Sequence, residues 1–153
     1  MMKDVFIDTN ALLLLILGTI NKRNIGNHPR LSVYTNSEFY AISELLGKNT
    51  RLVSSPNVWT EVDNLCNNIR GDDKIKYQTV LREIIKNSFE KFISSETGVE
   101  LENFYYIGLT DSIVIELAKT CDILISGDSK MSDYARALGI KVLDLKGLAN
   151  QRL

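Results

Sequence analysis

Four short apolar runs, Val5–Ile7, Leu52–Val53, Ile123–Ile125 and Ile140–Leu143, are separated by longer stretches with helical spacing. None of the four shows the sustained alternation of a half-exposed strand. Continuous apolar runs of this length suit strands covered on both faces, as in a parallel sheet. Strands alternating with helices require crossover connections of one hand. The expected fold is therefore α/β: a three-layer sandwich with a central, mostly parallel sheet of four to five strands flanked by helices.

The intervening segments carry their own signals. Ala11–Gly18 is apolar all round and stops at a glycine, as a buried helix would. Ser37–Gly47 places Phe39, Ile42, Leu45 and Leu46 at helical spacing. Ser55 and Pro56 offer a cap and a first-turn proline for a helix reaching Arg70. From Asp72 to Ser94, Tyr77, Val80, Leu81, Ile84, Ile85, Phe89 and Phe92 share one face, which predicts the longest helix. Thr110–Thr120 and Ser129–Leu138 complete the set, and Thr19–Tyr34 is read as irregular.

With 153 residues, 44% of them hydrophobic, the chain supports one sizeable core and is read as a single domain over residues 1–153. The apolar stretch Ala11–Leu17 is far short of the roughly 18 residues that cross a bilayer. No charged leader with an apolar segment precedes Val5. The expectation is a cytoplasmic protein with no membrane partner. Cys66 and Cys121 lack the number of a disulfide framework and the paired spacing of a zinc site, and are read as small core residues in a reducing compartment.

Acidic residues stand at places where chemistry is done in such folds. Asp8 follows the first strand directly, and Asp128 follows the Ile123–Ile125 strand through Ser126 and Gly127. A helix cap accounts for either alone. Open parallel sheets, however, bind ligands outside the carboxyl ends of their strands, where both acids fall. Glu61 is more informative, because a cap cannot explain a carboxylate in mid-helix. At about 100° per residue it lies about 60° from Val58, on the border of the stripe formed with Val62, Leu65 and Ile69, whereas Asp63 faces solvent. Asp111 sits in the first turn of its helix, which the helix dipole alone would favour.

The set decides where single residues do not. Two unit charges about 4 Å apart repel by roughly 4 kcal/mol at a typical effective protein dielectric. Four converging carboxylates thus call for a cation, and an all-oxygen set suits Mg²⁺ or Mn²⁺ rather than zinc. The formal net charge of −1 argues against a nucleic-acid partner at first sight, but setting these four acids aside turns −1 into +3.

The residues that carry these acids resemble the PIN-domain family. Val5-Phe6-Ile7-Asp8-Thr9-Asn10, Ser55-Pro56-Asn57-Val58-Trp59-Thr60-Glu61, Leu109-Thr110-Asp111 and Ile123-Leu124-Ile125-Ser126-Gly127-Asp128 follow the family's order over nearly the whole chain. The resemblance implies a metal-dependent endoribonuclease. Asp8, Glu61, Asp111 and Asp128 become catalytic metal ligands for Mg²⁺ or Mn²⁺, with Asn10 and Ser126 supporting them by hydrogen bonding. Many small prokaryotic members are toxins of toxin–antitoxin pairs. The implied partners are RNA and, on the protein side, a small antitoxin or a second copy of the chain. Two departures are visible: the stretch from Arg70 to Leu109 is longer than in compact toxins of the family, and Lys130 stands where some relatives carry another acid. Lys22, Arg23, Arg30 and Lys130 are the candidates for contact with the RNA backbone.

Two other classes compete. One is a catalytically silent module of the same fold that works as a binding or assembly partner. The other is a phosphatase or phosphoacceptor domain with Asp8 as nucleophile. Such phosphatases carry a second acid two residues on, where this chain has Asn10, and receiver domains pair acids before the strand's aspartate, which this chain lacks.

Overall fold

The computed structural model describes residues 1–47 and 49–151. Five strands, β1 (Lys3–Ile7), β2 (Thr50–Ser54), β3 (Phe89–Glu90), β4 (Ile123–Ser126) and β5 (Val142–Asp144), form one sheet in the order β3-β2-β1-β4-β5. Every pairing is parallel, with Val5 opposite both Leu52 and Ile123. Parallel strands need long crossovers, and the flanking helices supply them. These are α1 (Thr9–Ile20), α2 (Asn24–Asn27), α3 (Asn36–Leu45), α4 (Pro56–Leu65), α5 (Asp72–Lys86), α6 (Ser95–Gly98), α7 (Phe104–Ile107), α8 (Leu109–Ala118), α9 (Ser129–Ala137) and α10 (Leu145–Asn150).

The central strand is the most apolar because it is covered on both faces. Val5, Phe6 and Ile7 of β1 are buried, as are Leu124 and Ile125 of β4. Against them packs α1, whose residues Ala11–Leu14 and Ile16–Gly18 are all buried. Gly18 does not end this helix, which continues to Ile20. A Cβ at position 18 would overlap the ring of Phe39, so the glycine makes room for an aromatic of α3 instead. The capping box of α3 fixes that approach. The Thr35 hydroxyl accepts from the Ser37 amide at 3.2 Å, and the Glu38 carboxylate accepts from the Thr35 amide at 2.9 Å.

The predicted helix from Asp72 to Ser94 is shorter than its apolar spacing implies. It stops at Lys86, and Phe89 and Glu90 pair with Val53 and Ser54 as the edge strand β3. Phe89 and Phe92 are exposed, and the Arg51 guanidinium lies 4.0 Å from the centre of the Phe89 ring. That arginine also makes a two-pronged ion pair with Asp4, at 2.8 and 2.9 Å, and holds the Asp4 carboxyl below its ordinary range. Packing of the edge strand on β2 therefore overrides a helical period. Similarly, α4 ends at Leu65 rather than Arg70, and the segment read as irregular contains α2 and a single 3-10 turn, Pro29–Leu31. Ser55 sits at the cap position of α4, but its hydroxyl is buried and bonds to none of the described residues.

Among the described residues no helix is long and apolar enough to cross a membrane. Cys66 is buried and Cys121 half-buried, both as free thiols.

Candidate functional site

All five strands run the same way, so their carboxyl ends form a single edge of the sheet. The chain builds β2 and β3 on one side of β1, then crosses to build β4 and β5 on the other. The order thus reverses at β1 and β4, and a sheet of this kind opens a crevice at such a point. Asp8 follows β1 and Asp128 follows β4. Helix α4, entered from β2, brings Glu61 to this edge, and the first turn of α8 brings Asp111. The four carboxylates line one cavity of about 150 Å³, together with Thr9, Asn10, Arg30, Thr110, Val114 and Met131.

Each acid is held differently. Asp8 is 5% exposed and caps α1, its Oδ1 accepting from the Ala11 amide at 3.4 Å and the Gly127 amide at 3.3 Å. Its Oδ2 accepts from the Ser126 hydroxyl at 2.5 Å. Burial nevertheless pushes its pKa up to about 7, against the lowering effect of those donors and with a further push from Asp128. Asp128 caps α9, accepting from the Lys130 amide at 2.9 Å and the Met131 amide at 3.2 Å. Glu61 accepts from the Thr9 hydroxyl at 3.1 Å. The Asp111 carboxylate has no hydrogen-bond donor among the described residues. Burial raises its pKa to about 6, assisted by the charges of Asp128 and Glu61 and opposed by Lys130.

Close packing at the β4 turn forces the local sequence. A Cβ at Gly127 would stand 2.8 Å from both the Asn10 Cβ and the Tyr34 hydroxyl, and that hydroxyl donates to the Gly127 carbonyl at 3.2 Å. Ser126 supports Asp8 directly. Asn10 makes no such bond; its buried Oδ1 accepts nothing from the described residues.

The basic candidates separate. Arg30 lines the acidic cavity, held there by His28, whose Nδ1 accepts from the Arg30 amide at 3.1 Å. With Nδ1 accepting, the proton belongs on Nε2, which donates to the Leu65 carbonyl of α4 at 3.0 Å. Lys22 instead lies 4.8 Å from the centre of the Tyr40 ring and lines another cavity with Tyr34, Thr35 and Asn36. Arg23 is exposed and lines neither cavity, and Lys130 contributes its charge near Asp111 without lining the acidic one. Sequence reading passed over Thr9, Thr110 and Tyr34. Thr9 and Thr110 each adjoin a singled-out acid, which is the one signal that pointed to them.

Neither a protein-family model nor a curated protein matches the chain.

The oxygen donors in the lining, four carboxylates with Thr9, Asn10 and Thr110, are of the kind a hard divalent cation takes, beside the Arg30 cation and the apolar Val114 and Met131. Two groups of that lining bear on whether such an ion belongs there: the half-buried Asp111 carboxylate and the buried Asn10 Oδ1, neither of which has a hydrogen-bond donor among the described residues. Such groups are costly to bury unless something compensates, and a cation satisfies both. The types of donor therefore suit Mg²⁺ or Mn²⁺, but their placement does not. As placed, no three His, Cys, Asp or Glu side chains among the described residues close on one point as a metal would require. The carboxylates stand around the cavity, and gripping an ion requires them to draw together. A larger cavity of about 850 Å³ lies at the opposite end of the sheet, between Lys3, Glu44, Asp122 and Lys141. Its acids are mixed with lysines, and Asp122 is committed to the Asp4 amide at 2.7 Å, so the smaller cavity is the chemical candidate.

Proposed function

We propose that this chain is a Mg²⁺- or Mn²⁺-dependent endoribonuclease of the PIN-domain type that hydrolyses RNA phosphodiester bonds in the cytoplasm. One observation carries the reading: four carboxylates from four separate elements line a single cavity at the switch point of an all-parallel sheet.

Asp8, Asp111 and Asp128 are the residues to hold the ion, and Glu61 either joins them or orients the attacking water. When bound, the ion supplies Lewis-acid polarisation of the scissile phosphoryl group and neutralises its charge. In the second role Glu61 also takes the proton from that water, with the Thr9 hydroxyl fixing the carboxylate. Water adds to phosphorus as the bond to O3′ breaks, and a solvent water protonates O3′, leaving a 5′-phosphate and a 3′-hydroxyl. Ser126 keeps Asp8 aimed, and Arg30 offers a cation to a non-bridging phosphate oxygen. The toxin role, with a small antitoxin as protein partner, rests on the same resemblance; a second copy of the chain is the other protein partner it suggests.

The spread of the carboxylates favours one rival, a catalytically silent module of this fold. A calorimetric Mn²⁺ titration beside an RNA cleavage assay separates the two. The nuclease binds Mn²⁺ and cuts single-stranded RNA in its presence but not in excess chelator. No heat of binding, or cutting that persists in chelator, overturns the proposal.

The positions of the basic side chains set a sharper expectation. Arg30→Gln is expected to flatten the salt dependence of RNA binding by about 0.7 in the logarithmic slope, the value of one single-strand phosphate contact. Lys22→Gln is expected to leave the slope unchanged, because its ammonium lies over the Tyr40 ring and away from the acids. Equal slopes for both variants would remove Arg30 from the substrate path.

A further inference from the structure

The acidic cavity is too small for a nucleotide. Its volume of about 150 Å³ is a few water molecules' worth at about 30 Å³ each, enough for ions and phosphate oxygens. Small-molecule sites that enclose a ligand start near about 300 Å³. The nucleoside that carries the phosphate has to lie in a neighbouring concavity.

A shallow, largely open depression on the surface adjoins the acids and shares Glu61 and Thr110 with their cavity. Its remaining lining is Pro56, Asn57, Thr60 and Asn64, all from α4. Positions 57, 60, 61 and 64 recur at helical spacing, so one face of α4 presents Glu61 to the acids and two amides and a hydroxyl to the groove. No described residue bonds to the side chains of Asn57, Thr60 or Asn64. Among the described residues no lysine, arginine or aromatic ring lines the groove. The cavity that contains Lys22 is the other concavity of suitable size nearby, at about 420 Å³, but it shares no lining residue with the acids.

The geometry points to this groove as a base-reading subsite for the nucleotide next to the scissile phosphate of single-stranded RNA, an inference that rests on the ribonuclease reading above. Amides suit that task because each carries a donor and an acceptor side by side, the arrangement that pairs with the polar edge of a base. Single-stranded RNA exposes those edges. Without cations the groove adds little charge-driven affinity, and without aromatic rings it adds no stacking platform. Its contribution is a choice among bases. Arg30 stands at the acids and outside the groove, so it takes the backbone while α4 takes the base.

The test is a titration of the ¹⁵N-labelled chain with four homopolymeric hexaribonucleotides in Mg²⁺ and in chelator, following the side-chain amide signals of Asn57 and Asn64. The same four are then ranked by affinity for the N57A/N64A double variant. The expected result is movement of both amide signals with at least one oligonucleotide, and loss of about tenfold in the ratio between best and worst base in the variant. Folding of the variant is checked by its backbone spectrum, and Asn57→Gln, which keeps the amide, is expected to retain part of the ranking. RNA that binds or is cut while both amides stay still, or a variant that ranks the bases as wild type does, overturns the subsite and leaves the nuclease intact. Failure of all four to bind overturns both.

Discussion

Asp8→Asn is expected to lower Mn²⁺-dependent RNA cleavage by more than about a hundredfold, since even residues that only support metal ligands cost ten- to a hundredfold. The same substitution is expected to raise the melting temperature of the chelated protein at pH 8. Asp8 is buried, and its pKa of about 7 lies well above the ordinary 3.8. Keeping it ionised at pH 8 therefore costs the folded state about 4 kcal/mol, at about 1.4 kcal/mol per pKa unit. Asparagine removes the charge and keeps the shape. Its carbonyl oxygen takes over the Ala11 and Gly127 amides, and its NH₂ donates to the Ser126 hydroxyl. That hydroxyl then donates only to the Asp128 carbonyl, now at 3.2 Å. For a chain of this length a gain of that size corresponds to a shift on the order of 10 °C. Loss of activity together with lower stability would mean that Asp8 is a structural cap, and cleavage at the wild-type rate would remove it from the site.

The sheet was legible because buried parallel strands leave continuous apolar runs, and β1 and β4 are placed where those runs stand. Strand β3 was not. Two residues give no periodicity, and Phe89 and Phe92 happen to fall in phase with the apolar face of α5. Asn87 and Ser88 hold no proline or glycine to mark the stop, and what ends the helix is pairing with Val53 and Ser54, far away in the chain. Gly18 misled for a related reason: a glycine that ends a helix and one that makes room for a neighbouring ring look alike in sequence, and the Phe39 ring belongs to another helix. The four acids were legible in so far as each adjoined a recognisable strand end or helix start, or sat on the border of an apolar stripe, as Glu61 does. The separation of Arg30 from Lys22 and Arg23 was not, because it depends on His28 bridging to the Leu65 carbonyl. The amide face of α4 was open to view at helical spacing from Glu61, but asparagine and threonine carry no charge to draw notice.

The linkage between protons and metal gives the second large effect. Asp8 and Asp111 have folded-state pKa values of about 7 and about 6, both above 3.8. A carboxyl with a raised value binds more protons in the folded than in the unfolded chain, so its contribution is greatest below about pH 4 and is lost as pH rises through the folded value. In chelator, stability is expected to fall between pH 4 and pH 8 by about 4 kcal/mol for Asp8, with a smaller loss from half-buried Asp111 after discounting for solvent. Asp4 has the opposite shift, but its contribution is lost below its ordinary value and so lies outside this window. Metal needs the ionised carboxylates, so Mn²⁺ at a hundred times its dissociation constant is expected to add about 2.7 kcal/mol at pH 8 and much less at pH 5. The measurement is thermal unfolding across this range with and without Mn²⁺, read as the difference between wild type and Asp8→Asn so that other carboxyls cancel. A wild-type curve that rises with pH in chelator relative to the variant would contradict the burial of Asp8. A Mn²⁺ increment independent of pH would mean that the ion binds somewhere other than these acids.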